Sequence, residues 1–140
     1  NYQTANAAAL EMQPDSRRAL YASLKLAGLR EAPVHIALFC DEGTEQGGGL
    51  GAETMPETRR YSVVCAAMQM WLAARAEGLG MGWVSILDPA RLSRDLEVPA
   101  GWTFIAYLCL GWPAEEHTDA ELERAGWESR RRFAHPILTR

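Results

Sequence analysis

The stretch ETRRYSVVCAAMQMWLAARAEG, residues 57 to 78, constrains this chain more than any other. It opens after the Met55-Pro56 pair, and Tyr61, Val64, Cys65, Met68, Trp71 and Leu72 recur at helical spacing to give one apolar side. Ser62, Val63, Ala66, Ala67, Met70, Ala73 and Ala74 make the other side small and also largely apolar. A helix apolar nearly all round has to be covered all round. In a chain of 140 residues a partner subunit is the natural source of the second cover.

The helix runs directly into GLGMGWVSI, residues 78 to 86. Gly78 is explained by the left-handed residue that commonly ends a helix. Gly80 and Gly82 are not needed for that. A dinucleotide fingerprint leads from a strand through its glycines into a helix, whereas these glycines leave a helix and enter a strand, so the pyrophosphate argument fails on order and spacing. Two readings stay open: a wide turn between helix and strand, or a backbone stripped of side chains so that a flat ligand can approach its N–H and C=O groups. Ser85 is the single hydroxyl in WVSIL, and alternation along a strand over residues 82 to 87 puts it on the face of Trp83 and Leu87. It has no G-x-S-x-G setting, and His35, His117 and His135 sit in a strand start, a polar loop and the C-terminal tail, so nothing marks it as an activated nucleophile. Hydrogen bonding to a ligand or a neighbouring carbonyl suits it better.

Around this centre the chain alternates helical and extended patterns. The opening NYQTANAAALEM is alanine-rich, and Pro14-Asp15-Ser16 breaks it and starts a second helix whose apolar side includes Leu20, Leu24 and the run from Leu26 to Leu29. VHIALFC, residues 34 to 40, reads as a central strand covered on both faces. The polar, glycine-rich DEGTEQGGGLGAETMP follows, with residues 43 to 54 forming a functional lid or a flexible loop. Asp88-Pro89 starts a short helix over PARLSRDLEV, WTFIAYLCL at 102 to 110 is the most β-like run, and residues 115 to 132 read as a charged helix anchored by Leu122 and Trp127. The pattern implies one α/β or α+β domain over residues 1 to 140. Because the chain opens with Asn inside a helical pattern, we expect an upstream segment.

Composition excludes several classes of function. Net charge is −4, and the basic residues are dispersed apart from Arg130, Arg131 and Arg132, so there is no footprint for nucleic acid or an anionic membrane. No run approaches the ~20 apolar residues of a membrane span. Cys40, Cys65 and Cys109 lie in apolar runs without ligand spacing, which predicts buried reduced thiols and a cytoplasmic setting. His117 with Glu115, Glu116 and Asp119 lies in a solvated acidic stretch, so no metal is expected. Trp71, Trp83, Trp102, Trp112 and Trp127 are expected to serve the core.

Three segments carry a resemblance. TMPETRRYSVVCAAMQMWLAARAEGLGMGWVSILDP, VPAGWTFIAYLCLGWP and ELERAGWESRR together are similar to the nitroreductase-like flavoenzymes, over about residues 20 to 132. Within these they most resemble the branch that destroys its flavin to make 5,6-dimethylbenzimidazole, the lower ligand of vitamin B12. The resemblance implies an α+β fold with a mixed sheet flanked by helices, an intertwined homodimer, and FMN at the subunit interface. It implies that Leu79, Gly80 and Gly82 shape the approach to the flavin, that Ser85 lies beside the isoalloxazine, and that residues 43 to 54 help to cover the site. The implied reaction consumes reduced FMN as substrate with O2, releases the benzimidazole and erythrose 4-phosphate, and needs a separate flavin reductase. An NAD(P)H-dependent nitroreductase or flavin reductase that recycles FMN is the alternative on the same fold, and a non-catalytic dimerising or flavin-sequestering module is a third. The family's phosphate-gripping arginines and catalytic acid are not provided by residues 1 to 20, Asp15 included, and are expected upstream.

Overall fold

Three apolar runs pair into one antiparallel sheet in the computed structural model, which describes residues 1–24 and 28–131. In chain order the elements are α1 (Tyr2–Glu11), α2 (Asp15–Ser23), the single turn α3 (Gly28–Glu31), β1 (Val34–Asp41), α4 (Thr58–Ala76), β2 (Gly80–Val84), α5 (Pro89–Asp95), β3 (Trp102–Gly111) and the single turn α6 (Glu121–Arg124). The strand order is β1-β3-β2, with Ile36 opposite Leu108 on one side of β3 and Trp83 opposite Leu108 on the other. A register shift between Leu38 and Phe39 bends the far end of β1.

Helix α4 lies across one face of this sheet on its small side. Ala67 and Ala74, two turns apart, are buried against Ala106, Leu108 and Met81, with Met70, Trp71 and Leu79 packed around them. Alternation along β3 sends Ala106, Leu108 and Leu110 toward the helix and Tyr107, Cys109 and Gly111 to the opposite face. Tyr61, Val64, Met68 and Leu72 form a second stripe on α4 that remains exposed, Leu72 by 61%. The helix ends on Gly78 at φ +74, and the Leu79 amide donates to the Ala74 carbonyl at 2.8 Å, closing the last turn as expected.

Several expectations are corrected. The central strand is β3. β1 has one neighbour among the described strands and is half exposed, because the bulky β3 run is the one with partners on both edges. The described strands pair only antiparallel, not as a mixed sheet. Strand β2 ends at Val84, so Ser85 and Leu87 share no strand face with Trp83, and the Leu87 amide instead donates to the Ser85 carbonyl at 2.9 Å. The charged helix shrinks to α6, since its two apolar anchors cannot hold a longer one and Gly126 at φ +70 ends it. Cys65 is exposed, unlike Cys40 and Cys109, and Trp112 is 77% exposed, with Trp83 and Trp102 also on the surface. Leu26, His135 and Arg132 lie outside the described residues.

No helix among the described residues is long and apolar enough to cross a membrane. Among them, no three His, Cys, Asp or Glu side chains gather as metal ligands would. His117 instead hydrogen-bonds Glu115 at 2.9 Å on the surface.

Candidate functional site

Two adjoining concavities meet at the end of β2. The smaller, about 230 Å³, is lined by Asn6, Tyr21, Leu24, Val84, Ser85 and Ile86, with Trp83 at its edge. None of the described residues that line it carries a charge. Three neutral polar groups face an otherwise apolar wall, and two of them are already joined, the Tyr21 hydroxyl donating to Asn6 Oδ1 at 3.3 Å. The Ser85 side chain makes no hydrogen bond to another described residue, and no histidine or carboxylate among the described residues lines the space with it. Such a hydroxyl can orient a bound ring by donating or accepting, but lacks the adjacent base that a nucleophile needs.

The larger concavity, about 820 Å³, follows the sheet face opposite α4 past Gly82, Trp83 and Cys109 to the loop carrying His117 and α6. Gly82 explains why this face is open: a Cβ built there meets nothing within 4 Å. Gly80 is closer set, its hypothetical Cβ lying 3.5 Å from the Gly111 carbonyl oxygen. At Gly111 a Cβ would fall 2.8 Å from Pro33 Cδ, so the close approach of Pro33 requires a glycine there. On the same face the Cys109 thiol points at His35 Nδ1, 3.7 Å away, while His35 Nε2 donates to the Ala32 carbonyl at 3.0 Å. Burial pushes the Cys109 thiol above its ordinary pKa, which disfavours the thiolate.

The segment carrying Ser85 is fixed at its downstream end. Asp88 caps α5, its carboxylate accepting from the Ala90 and Arg91 amides at 3.0 and 3.1 Å with Pro89 in the first turn. Its backbone is also gripped by Asn1, whose amide nitrogen donates to the Asp88 carbonyl at 3.1 Å while Asn1 Oδ1 accepts from the Asp88 amide at 2.8 Å. Arg75 ties the other side of the turn, donating to the Leu79 carbonyl at 3.3 Å and pairing with Glu116 at 2.9 Å.

Of the residues singled out in the sequence, Gly82 and Ser85 border these two adjoining spaces, joined by Trp83 and Val84, which line both. Gly80 lines the continuation of the face toward Trp112. The Leu79 side chain packs on the core, and its backbone lies in the turn before β2. Residues 43 to 54 are a run of turns with Gly47, Gly48, Gly49 and Gly51 all at positive φ, bordering a separate concavity beside Glu42 and Arg59 rather than Ser85. Asn6, Tyr21 and Leu24 escaped the sequence reading because only the fold of the α1–α2 hairpin brings them to residues more than fifty positions later.

Comparison with known proteins adds a family and relatives. Residues 2–112 match the family described as the nitroreductase family. A protein of Rhodospirillum rubrum named 5,6-dimethylbenzimidazole synthase is 63% identical over 135 residues, 96% of this chain and 63% of that protein. One of the same name from Rhodobacter capsulatus is 42% identical over 128 residues, 91% of this chain and 62% of that protein. The chain thus spans somewhat under two thirds of the length of these curated relatives.

Proposed function

The chain belongs to the nitroreductase family, and on that premise we propose that it serves the oxygen-dependent fragmentation of reduced FMN to 5,6-dimethylbenzimidazole and erythrose 4-phosphate, the step that provides the lower ligand in cobalamin biosynthesis. The observation that carries this reading is the 63% identity to a 5,6-dimethylbenzimidazole synthase across nearly all of the chain. A comparison over 135 of the 140 residues spans the glycine-strand-serine segment as well as the core.

The residues at the end of β2 fit such a substrate. An isoalloxazine is flat and needs a backbone surface from which no side chain projects, which the open space above Gly82 offers, with Gly80 two residues before it. Its polar edge needs uncharged partners that do not commit to one protonation state, and Ser85, Tyr21 and Asn6 are such groups. Bound reduced FMN supplies the electrons that O2 takes up. The chain's own task is to hold the ring edge through the Ser85 hydroxyl and to keep bulk water away with Leu24, Val84 and Ile86. Residues 43 to 54 lie away from Ser85 within one chain, so a covering role belongs to the second copy of a homodimer joined along the exposed α4 stripe. A separate flavin reductase provides the reduced flavin, and the setting is cytoplasmic.

The test is product analysis. The protein is supplied with FMN, a flavin reductase, NADH and air, and products are followed by mass spectrometry. A protein-dependent benzimidazole is expected, and Ser85→Ala should retain FMN while losing most of that product. Intact FMN with extra NADH turnover would replace this reading with a recycling reductase. Absence of both flavin binding and turnover would leave a non-catalytic module.

A further inference from the structure

The α1–α2 hairpin has no buried residue of its own in either helix, yet it forms one wall of the Ser85 concavity through Asn6, Tyr21 and Leu24. Its half-buried stripe of Tyr2, Ala5, Ala9, Leu10 and Leu20 is supplemented by two side-chain attachments that hold it in place. One is the Asn1–Asp88 pair of hydrogen bonds. The other is built on Trp127: the Arg17 guanidinium lies over its indole at 4.1 Å and Arg17 Nη2 donates to its carbonyl oxygen. On the same indole rests the ring of Tyr21, at 5.8 Å and tilted by 59°.

We propose that Trp127 is a positioning residue for the Ser85 concavity, fastening α2 and through it Tyr21 opposite the end of β2. Trp127 is a firm anchor in its turn. Its amide donates to the Leu122 carbonyl at 2.9 Å as the chain leaves α6 through Gly126, and the Arg130 amide closes the segment on Glu123 Oε1 at 2.9 Å. Arg17 and Tyr21 are one helical turn apart on α2, so a single indole receives both and fixes the rotation of the helix as well as its distance. That rotation decides whether the Tyr21 hydroxyl meets Asn6 at the rim or turns to solvent. In binding, the inference rests on the flavin reading above. As a statement about the wall, it does not.

The test uses two variants and two readouts in the same protein. Trp127→Ala removes the ring that receives Arg17 and Tyr21, and Trp127→Phe keeps a ring there. Amide hydrogen exchange without flavin should quicken over residues 15–23 and 83–86 in Trp127→Ala, stay unchanged in β3, and return near the parent in Trp127→Phe. Titration with oxidised FMN, followed by quenching of its fluorescence, should show affinity about fivefold weaker in Trp127→Ala, the scale of a lost cation–π contact, and close to the parent in Trp127→Phe. Unchanged exchange over 15–23 would overturn the fastening role, and quickened exchange with unchanged FMN affinity would overturn the positioning role. A parent that binds no FMN would defeat the flavin reading instead, and the exchange data would then decide the wall by themselves. If Trp127→Ala does not fold, Arg17→Gln removes the cation while leaving the indole and is judged by the same two results.

Discussion

Gly82→Ala separates what the strand needs from what a ligand needs. The glycine is exposed, sits opposite Cys109 in the β3 register, and has no left-handed φ. A Cβ there meets nothing within 4 Å, so the added methyl costs no packing inside the chain. It removes backbone freedom from the unfolded chain, which stabilises by about 0.4–1 kcal/mol. In a chain of this size that raises Tm by roughly 1–3 °C. For a flat ring resting on this strand the outcome is opposite: the methyl stands out by about one C–C bond, ~1.5 Å, from a backbone that a ring would otherwise touch at ~3.5–4 Å. We expect FMN affinity to fall at least tenfold, about 1.4 kcal/mol. Gly111→Ala is the internal control, because its Cβ would lie 2.8 Å from Pro33 Cδ. Relief of that clash should cost about 1–3 kcal/mol of stability. The assays are a thermal melt and a flavin titration on each variant. A Gly82→Ala protein that melts lower than the parent would refute the reading of the space. One that binds FMN and forms benzimidazole as the parent does would refute the use of this face for the flavin.

Acid should loosen three surface ties together. The Glu116 carboxyl is held below its ordinary 4.5 by the hydrogen bond and charge of Arg75, Glu42 likewise by hydrogen bonds from Arg60 and Thr103, and Asp119 below 3.8 by the hydrogen bond from Arg124. A depressed folded value means that the contribution is complete above the ordinary value and is lost as pH falls through the lowered one. Each tie is exposed and small, so Glu116→Gln should make the decline in Tm as pH falls below the ordinary 4.5 measurably shallower without changing Tm much at neutral pH. An unchanged acid slope would show that Arg75 does not hold the 112–120 loop. Thiol labelling tests the proposed homodimer: Cys40 and Cys109 are buried, with pKa raised by that burial, and should react only on unfolding, whereas Cys65 is exposed on α4. In a dimer closed along that stripe, Cys65 should be protected from iodoacetamide and become reactive on dilution. Immediate labelling at concentrations where gel filtration reports a dimer would place the interface elsewhere.

Local chemistry was legible in the sequence, and long-range arrangement was not. The break at Pro14, the extent of α4, the left-handed Gly78 and the Asp88-Pro89 start of α5 each depend on interactions within a few residues, and each stands where the sequence put it. Strand order depends on which run collects partners on two edges. Nothing local in VHIALFC or WTFIAYLCL distinguishes those roles, so the centre of the sheet was misassigned. Ser85 was placed one residue too far into a strand because Val84 and Ile86 are as β-prone as the strand itself, while the turn at Leu87 that ends it is set by the cap on Asp88. The wall opposite Ser85 joins Tyr21 to residues 83 to 86 and, behind it, to Trp127, contacts without a periodic signature. Of the candidate set, Gly82 stands out in the sequence because an unneeded glycine in a strand asks for a reason, whereas nothing local shows that the Leu79 side chain packs inward.

Helix α4 meets its own sheet through alanine methyl groups flanked by Met70 and Trp71, while Tyr61, Val64, Met68 and Leu72 stand on the surface. The residues that hold the helix to its sheet and those that face outward are therefore different letters of one helix. Ala67 and Ala74 set how near the helix sits to the sheet and tolerate little enlargement, whereas the surface stripe can vary in size and polarity without disturbing that spacing. The homodimer proposed above, closed along that stripe, could thus be retuned in tightness while the scaffold under the β2 turn stays untouched.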